Sequence, residues 1–504
     1  MSTLSAFPRP TLLGGASPSA SVHGAPNVLQ ILIDDLGPEQ LLSYLDTNLW
    51  SSYDYAPTPN IDALARRGLR FRRAYGAPIC SPCRGQITTG LWPHRTGLSI
   101  VINEGAAHVL EDVTDEDVGL GIRCWPRILR DPSIGSPYRI RHQGKWHLGD
   151  GNGDNNSPTR DAFLARYQGC LTNLNVSDSG VTNTGYGADG STQYSVYDSK
   201  TSSTTVVTAD YNPDNEIEGL LTWMREGRQP WCLQWWVHSI HGPYHWAPSA
   251  HHTYGAEPGS FSAWTAARTM IESIDTLIGE LFARMGPMLE NTVVILACDN
   301  GTDGLIVDPD HSSNAVDPPP SGPYDPDHFK QEVYEGGCRI PFIMAGPGVR
   351  SGVTDALVSV MDIAPTTLEL CAPGQWQGLV SGTDLAGNAV TEMDGKSLLG
   401  ICAGTEESVH THMLAEKYGT EGMRLDDPTV DRARIGVWDG ETGFKLVAIK
   451  NSSAGDWTTE LYDLGVDPTN YNDPHEATPL DPEDYPVEYA ALTAFLEAES
   501  GLSL

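Results

Sequence analysis

Two apolar runs, each stopped abruptly by acidic or amide side chains, constrain this chain more than any other feature. Val28-Leu29-Gln30-Ile31-Leu32-Ile33 is a continuous β-prone run that ends in Asp34-Asp35, and residues 292–297 form another that ends in Cys298-Asp299-Asn300-Gly301. Runs without polar alternation are expected of strands buried on both faces of a parallel sheet. Further runs lie at 231–240 and 340–345, a short candidate strand at 138–141, and a helical pattern opens at Pro59 and closes at Gly68. Strands alternating with helices predict an α/β fold, a large mostly parallel sheet sandwiched by helices. Ligands in such sheets sit beyond the carboxyl ends of the strands, so the polar clusters are placed to converge.

The remaining chain divides by texture. Residues 1–26 are a Pro/Gly/Ser-rich leader, expected to pack poorly, and 27–404 carry the α/β pattern. Residues 405–504 form a smaller C-terminal α+β subdomain, where 434–438 and 444–449 flank Asp439-Gly440-Glu441-Thr442-Gly443 as an antiparallel hairpin and a helix spans about 487–499. The Gly-, Ser-, Thr- and Asn-rich stretch 150–215 reads as a long irregular excursion, and 303–328 as a loop; both are places for substrate recognition. A chain of 504 residues is long enough for more than one core.

The formal charge is 31 − 65 = −34. A field of that sign repels nucleic acid and anionic membranes, and no run approaches the ~20 apolar residues of a membrane span. Neither partner is expected. An anionic substrate has to be captured by a local cationic pocket, against the global field. Met1 to Ala20 holds no sustained apolar core, so the expected location is cytoplasmic, or periplasmic if a leader was removed. Nine scattered cysteines, such as Cys232 and Cys298 within apolar runs, suit reduced core thiols. The 13 tryptophans are expected as packing, and a homo-oligomer stays open.

Asp34, Asp35, Asp299 and Asn300 together offer three carboxylates and an amide, all oxygen donors, which suits a hard divalent cation. Each pair alone reads as a turn former; the two pairs, each after a buried strand, favour metal. Neighbours on an extended strand face opposite ways, so both aspartates reach one ion only where the strand gives way to a loop. Ca²⁺ is the expected ion, with Mg²⁺ and Mn²⁺ open.

The segment Ile79-Cys80-Ser81-Pro82-Cys83-Arg84-Gly85 contains a C-x-x-C pair, so zinc and thioredoxin-like readings arise. Zinc lacks a second ligand pair of suitable spacing. A sharper pattern is Cys80-x-Pro82-x-Arg84 followed by a helix and Thr89-Gly90. With Thr58-Pro59-Asn60, Gly144-Lys145-Trp146-His147, Lys330 ahead of Glu335-Gly336-Gly337, Asp362-Ile363-Ala364-Pro365-Thr366 and Asp394-Gly395-Lys396 in order, the chain resembles the type I sulfatases of the alkaline phosphatase superfamily. Cys83 departs from the small residue common at that position, which is a variable one.

The resemblance implies an alkaline-phosphatase-like catalytic domain over 27–404 and an arylsulfatase-like hydrolase of sulfate monoesters. It implies that Cys80 is oxidised to formylglycine by a formylglycine-generating enzyme. The hydrated aldehyde attacks sulfur, and the second hydroxyl of the geminal diol later expels sulfate, an exit closed to Ser or Cys. Asp34, Asp35, Asp299 and Asn300 hold the cation; Arg84 and Lys145 orient the formylglycine; His147 is the base for breakdown of the sulfo-enzyme. The Lys-x-His alternation is expected to aim Lys145 and His147 at one site. His241 and Lys330 protonate the leaving group, with His238 and His245 as competitors of His241. Glu335 is expected to orient a neighbour or cap a turn, and His94 to sit in a loop. The alternative activity is that of a phosphonate monoester or phosphodiester hydrolase with the same nucleophile. Such relatives tend to complete the metal site with Asp-His, so Asn300 favours the sulfatase.

Overall fold

The computed structural model describes residues 24–47, 55–101, 121–145, 147–148, 171–173, 192–198, 203–209, 212–242, 244–307, 327–419, 423–427, 429–453, 455–469 and 476–504. The leader up to residue 23, most of 150–215 and the loop at 308–326 lie outside them.

Fourteen strands are described: β1 Asn27–Ile33, β2 Leu69–Tyr75, β3 Arg139–Gly144, β4 Leu171–Asn173, β5 Thr192–Asp198, β6 Ser203–Ala209, β7 Trp231–Val237, β8 Thr292–Cys298, β9 Phe342–Ala345, β10 Gly352–Ser359, β11 His412–Tyr418, β12 Ala433–Asp439, β13 Phe444–Lys450 and β14 Thr458–Asp463. Six described helices have nine or more residues: α1 Pro59–Arg67, α2 Cys80–Thr89, α3 Asn212–Glu226, α4 Ala263–Met285, α5 Ile363–Cys371 and α6 Pro486–Ser500. None of the described helices is long and apolar enough to cross a membrane.

Seven strands form the main sheet in the order β10-β2-β9-β8-β1-β7-β3. β3, β7, β1 and β8 run parallel to one another. β9 runs against both β8 and β2, so β2 regains the direction of β8. The sheet is therefore mostly parallel with one reversed strand. Its centre is buried on both faces: Val28 to Ile33 and Val293 to Cys298 are at most 2% exposed. Each such aliphatic side chain contributes about 1.5–3 kcal/mol of transfer free energy. Trp125, Trp231, Trp235 and Trp236 are fully buried in the same core, as packing residues.

A second, antiparallel sheet, β11-β12-β13-β14, carries its own core, which also takes in Tyr75, Trp92, Val333 and Leu357 from the first. The expected hairpin is β12–β13, paired from Ala433↔Lys450 to Trp438↔Lys445. Two expectations are corrected. The excursion 150–215 is not irregular throughout, because β4, β5 and β6 form a three-stranded antiparallel sheet and α3 begins at Asn212. His94 is not a loop residue: it lies in the short helix Pro93–Thr96, where its Nδ1 meets Glu416 Oε1 at 2.8 Å and its backbone N–H donates to Glu416 Oε2 at 3.0 Å.

This pair ties the turn after α2 to β11. Burial lowers the imidazole's proton affinity, but Glu416 outweighs it, and the His94 pKa is raised above its ordinary value. A raised folded-state pKa adds stability that is complete below the unfolded value and is lost as pH rises through the folded one. His94→Gln is therefore expected to cost about 1–3 kcal/mol near pH 6. The gap to wild type should narrow as pH climbs from about 6.5. Thermal denaturation of both proteins from pH 6 to pH 9 checks this; a gap independent of pH would contradict it.

Candidate active site

The polarity of the main sheet brings every sequence-predicted site residue to one edge. Asp34 follows β1, Asp299 follows β8, Lys145 follows β3 and His241 comes shortly after β7, all at carboxyl ends of parallel strands. Cys80 lies five residues beyond β2, whose carboxyl end reaches the same edge. Lys330 precedes β9, and because that strand is reversed, its amino end is the one that arrives. Backbone bonds fasten these turns together: Asp299 N to Ile33 O (3.2 Å), Asp34 N to Ser239 O (3.0 Å), Lys145 N to Trp236 O (2.8 Å) and Lys330 N to Thr302 O (3.0 Å).

Local sequence explains the tightness. β1 ends at Ile33, and Asp35 takes φ +60, a conformation that aspartate tolerates better than most residues. Successive aspartates thus leave the alternation of the strand and face one centre. At Gly76 a Cβ would meet Asp299 O at 2.1 Å, and at Gly301 it would meet Gly336 O at 1.9 Å. Only glycine lets those backbones touch.

Carboxylate oxygens of Asp34, Asp35 and Asp299 and the Sγ of Cys80 all lie within 4.8 Å of one another. All four residues are at most 1% exposed. Two like charges at about 4 Å repel by about 4 kcal/mol at an effective dielectric of 20, so the cluster needs counter-charge. Lys145 Nζ donates to Asp34 Oδ2 and Lys330 Nζ to Asp35 Oδ2, each at 2.6 Å. Arg84 Nη2 donates to Asp299 Oδ2 at 2.8 Å, and its Nη1 to Lys145 O at 2.9 Å. Burial works against the ionised form of Asp34, yet Lys145 and Arg84 prevail and hold its carboxyl well below the usual range. Asp299 is pushed up to about 7 by burial and by Asp34.

α2 begins at Cys80, with the extended Ile79 before it, so the side chain at position 80 sits in the first turn of a ten-residue helix. The Cys80 thiol is 3.2 Å from Asp34 Oδ1 and 3.9 Å from Asp35 Oδ1. Burial, then Asp34, raises its pKa well above the ordinary value; burial, then Asp299, does the same to Cys83. A lowered thiol pKa, the mark of a reactive C-x-x-C pair, is found at neither. All eight described cysteines are free and buried.

The histidines surround this centre. His147 is buried and takes φ +55. The expected strand alternation of Lys145 and His147 is corrected, because β3 ends at Gly144 with φ +99, and turns rather than a pleat place both residues. Burial, with Lys145 next, lowers the pKa of His147 and of His241, so both imidazoles are neutral. His241 Nδ1 meets Gly242 O at 2.7 Å; a carbonyl only accepts, so Nδ1 carries the proton, and Nε2 stands 4.0 Å from Asp35 Oδ2. His238 stacks on His241 with ring centroids 5.0 Å apart. His245 is buried as well.

The donor set fits a hard cation. Asn300 Nδ2 donates to Asp35 Oδ1 and to Gly301 O, both at 2.8 Å, while its buried Oδ1 accepts no hydrogen bond among the described residues. An orphaned buried acceptor beside three carboxylates is what an oxygen-coordinated ion repairs. Two supporting residues carry no sequence signal of their own. Thr302 Oγ1 accepts from Gly37 N at 2.8 Å and donates to Glu39, bracing the turns after both acidic pairs. Only their position close behind Asp35 and Asn300 could have pointed to them.

Comparisons agree with this geometry. N-acetylgalactosamine-6-sulfatase of Homo sapiens is 27% identical over 382 residues, 74% of this chain and 65% of that protein, so the match spans just under two thirds of that relative's length. Arylsulfatase A of Homo sapiens is 27% identical over 403 residues, covering 75% of this chain and 70% of the relative. The fold matches the PsFucS1 sulfatase from Pseudoalteromonas sp. with a TM-score of 0.63 at 20% identity, over 94% of this chain and 90% of that one. The sulfatase family model matches residues 26–372, from the start of β1 to the end of α5, and the chain belongs to the sulfatase family.

Proposed function

We propose that this protein hydrolyses sulfate monoesters to an alcohol or phenol and inorganic sulfate, with a nucleophile at position 80 made by oxidising Cys80 to formylglycine. One observation carries the reading: the Cys80 side chain stands in the first turn of α2, in contact with Asp34 and Asp35, inside a cluster otherwise built of oxygen donors. Sulfur is the odd atom there, because hard cations take oxygen. Conversion of the thiol to an aldehyde hydrate puts oxygen in its place.

Asp34, Asp35, Asp299 and Asn300 would hold the divalent cation, with Ca²⁺ the best fit to an all-oxygen set. Such an ion supplies Lewis acidity and neutralises charge on sulfate oxygens. Formal charges agree: with all three carboxylates ionised, as ligands of a cation are, they and Arg84, Lys145 and Lys330 sum to zero (3 − 3), so a dication leaves a local +2 inside a chain of −34. That is the local cationic pocket an anionic ester requires.

The protein's own groups then divide the work. Arg84 clamps the Lys145 carbonyl to Asp299, fixing the first turn of α2 against β3. Lys145 and Lys330 point ammonium groups into the cluster from opposite sides, on Asp34 and Asp35. His147, neutral, is fit to take a proton from the nucleophile's second hydroxyl. Lys330, its ammonium on Asp35, is placed to hand a proton to the departing oxygen, and His241, whose Nε2 faces the same carboxylate, has to take up a proton there before it can share that task.

The decisive experiment joins mass spectrometry of the peptide carrying Cys80 to kinetics on an aryl sulfate and an aryl phosphonate. The expected results are the mass of an aldehyde in place of the thiol and a preference for the sulfate. An unmodified cysteine in a fully active enzyme would sink the proposal. Cys80→Ala is expected to lose roughly 10⁴-fold or more in kcat/KM while folding normally.

Removal of divalent ions with a chelator is expected to abolish turnover, and Ca²⁺ to restore it. Calcium at about 100 times its Kd should add about 2.7 kcal/mol of stability. Asn300→Ala should need more calcium for the same rise in melting temperature. Identical melting curves with chelator and with calcium would refute the site.

A further inference from the structure

The turn that carries Lys330 is held from outside by the second sheet. Glu335 Oε1 accepts from Trp438 Nε1 of β12 at 2.6 Å, and its Oε2 accepts from Tyr75 OH of β2 at 3.3 Å. Its backbone N–H donates to Glu476 Oε2 at 2.5 Å. Glu476 is ion-paired with Lys445 of β13, whose Nζ also lies 3.9 Å from Glu335 Oε1 and 4.1 Å from the Trp438 ring centroid. Lys445, Glu335 and Glu476 are each at most 1% exposed.

Stability alone does not account for burying three charges there. Each costs several kcal/mol to desolvate, and well-packed apolar side chains commonly do as well or better. What a directional network adds is a fixed geometry, and its connections lead to the active site. Gly337 O accepts from Gly301 N at 2.8 Å, next to Asn300. Cys338 O accepts from Gly76 N at 2.8 Å, on the strand exit that leads to Cys80. Cys338 Sγ meets Glu332 O at 3.4 Å, two residues from Lys330, and Lys417 Nζ of β11 holds Gln331 O at 2.9 Å.

We propose that Lys445, through Glu476 and Glu335, is a positioning residue that sets the Lys330 ammonium at the leaving-group side of the site. The C-terminal sheet is thus part of the catalytic apparatus, although it contributes no group to the reacting atoms. The inference rests on the assignment of Lys330 to leaving-group protonation. A misplacement of about 1 Å in such a group costs on the order of 10²-fold, so a positioning role has a measurable size.

The test is a double-mutant cycle in the mature full-length chain: Lys445→Met, Lys330→Ala and both together, each assayed with two aryl sulfates, one with an acidic phenol and one with a weakly acidic phenol. Lys445→Met is expected to lower kcat roughly 10- to 100-fold on the poor leaving group, less on the good one, with KM within about twofold. In the Lys330→Ala background the same change should cost less than about threefold, because residues acting as a unit are not additive. Equal losses in both backgrounds, or on both esters, would overturn the positioning role and leave Lys330's own role standing. Full activity of Lys330→Ala would overturn the assignment of Lys330 and this inference with it. Melting curves establish that the variants are folded. If Lys445→Met does not fold, Trp438→Phe, which deletes the bond to Glu335 and keeps an aromatic ring over Lys445, is judged by the same two comparisons.

Discussion

Everything at the active centre depends on the mutual neutralisation of buried charges. Three carboxylates are crowded together at the end of two central strands, where water cannot screen them. Alone they would repel by several kcal/mol per pair, and at least one would take up a proton. Arg84, Lys145 and Lys330 offset much of that repulsion, although Asp299 is still pushed up to about 7, and each arrives from a different part of the chain: a helix, a strand exit and a long connection. The cluster therefore reports on the whole fold. It exists only when β1, β3, β8, α2 and the turn before β9 are all in register.

The architecture solves this by polarity. Parallel strands deliver their carboxyl ends to one edge, and the single reversed strand delivers its amino end there. Without that reversal Lys330 would reach the opposite edge of the sheet. The second sheet then supports the same region from outside, which is why Tyr75, Val333 and Leu357 belong to its core and not to that of the first.

Much of this was legible in the sequence, for identifiable reasons. Apolar runs ended by Asp34-Asp35 and by Asp299-Asn300 mark strand ends by a change in solvation that no loop would mimic twice. The Cys80-x-Pro82-x-Arg84 spacing places Cys80 and Arg84 one helical turn apart, and the helix is there. Other features were not legible. Lys145 and His147 look like strand alternation, but the positive φ of Gly144 and of His147 is a property of backbone packing. The strand Ser203–Ala209 is rich in threonine, which reads as loop by polarity and as strand by β-branching, and the second reading won. Lys445, flanked by Phe444 and Leu446, looks like the solvent-facing position of a hairpin. Its partner Glu476 lies 31 residues on, and no local pattern announces the pairing.

Helix α2 is closed to solvent along its whole length. Its first residue, Cys80, is 1% exposed, and the ten residues of the helix are all buried. A catalyst that alters this side chain has to grip several residues around it, and the finished molecule presents none of them. If Cys80 is oxidised as proposed, that step and the closing of the protein would be sequential. On the proposed reading, a chain that closed before the change would keep its sulfur out of reach. Folding speed, ordinarily neutral for an enzyme's chemistry, would then compete with activation.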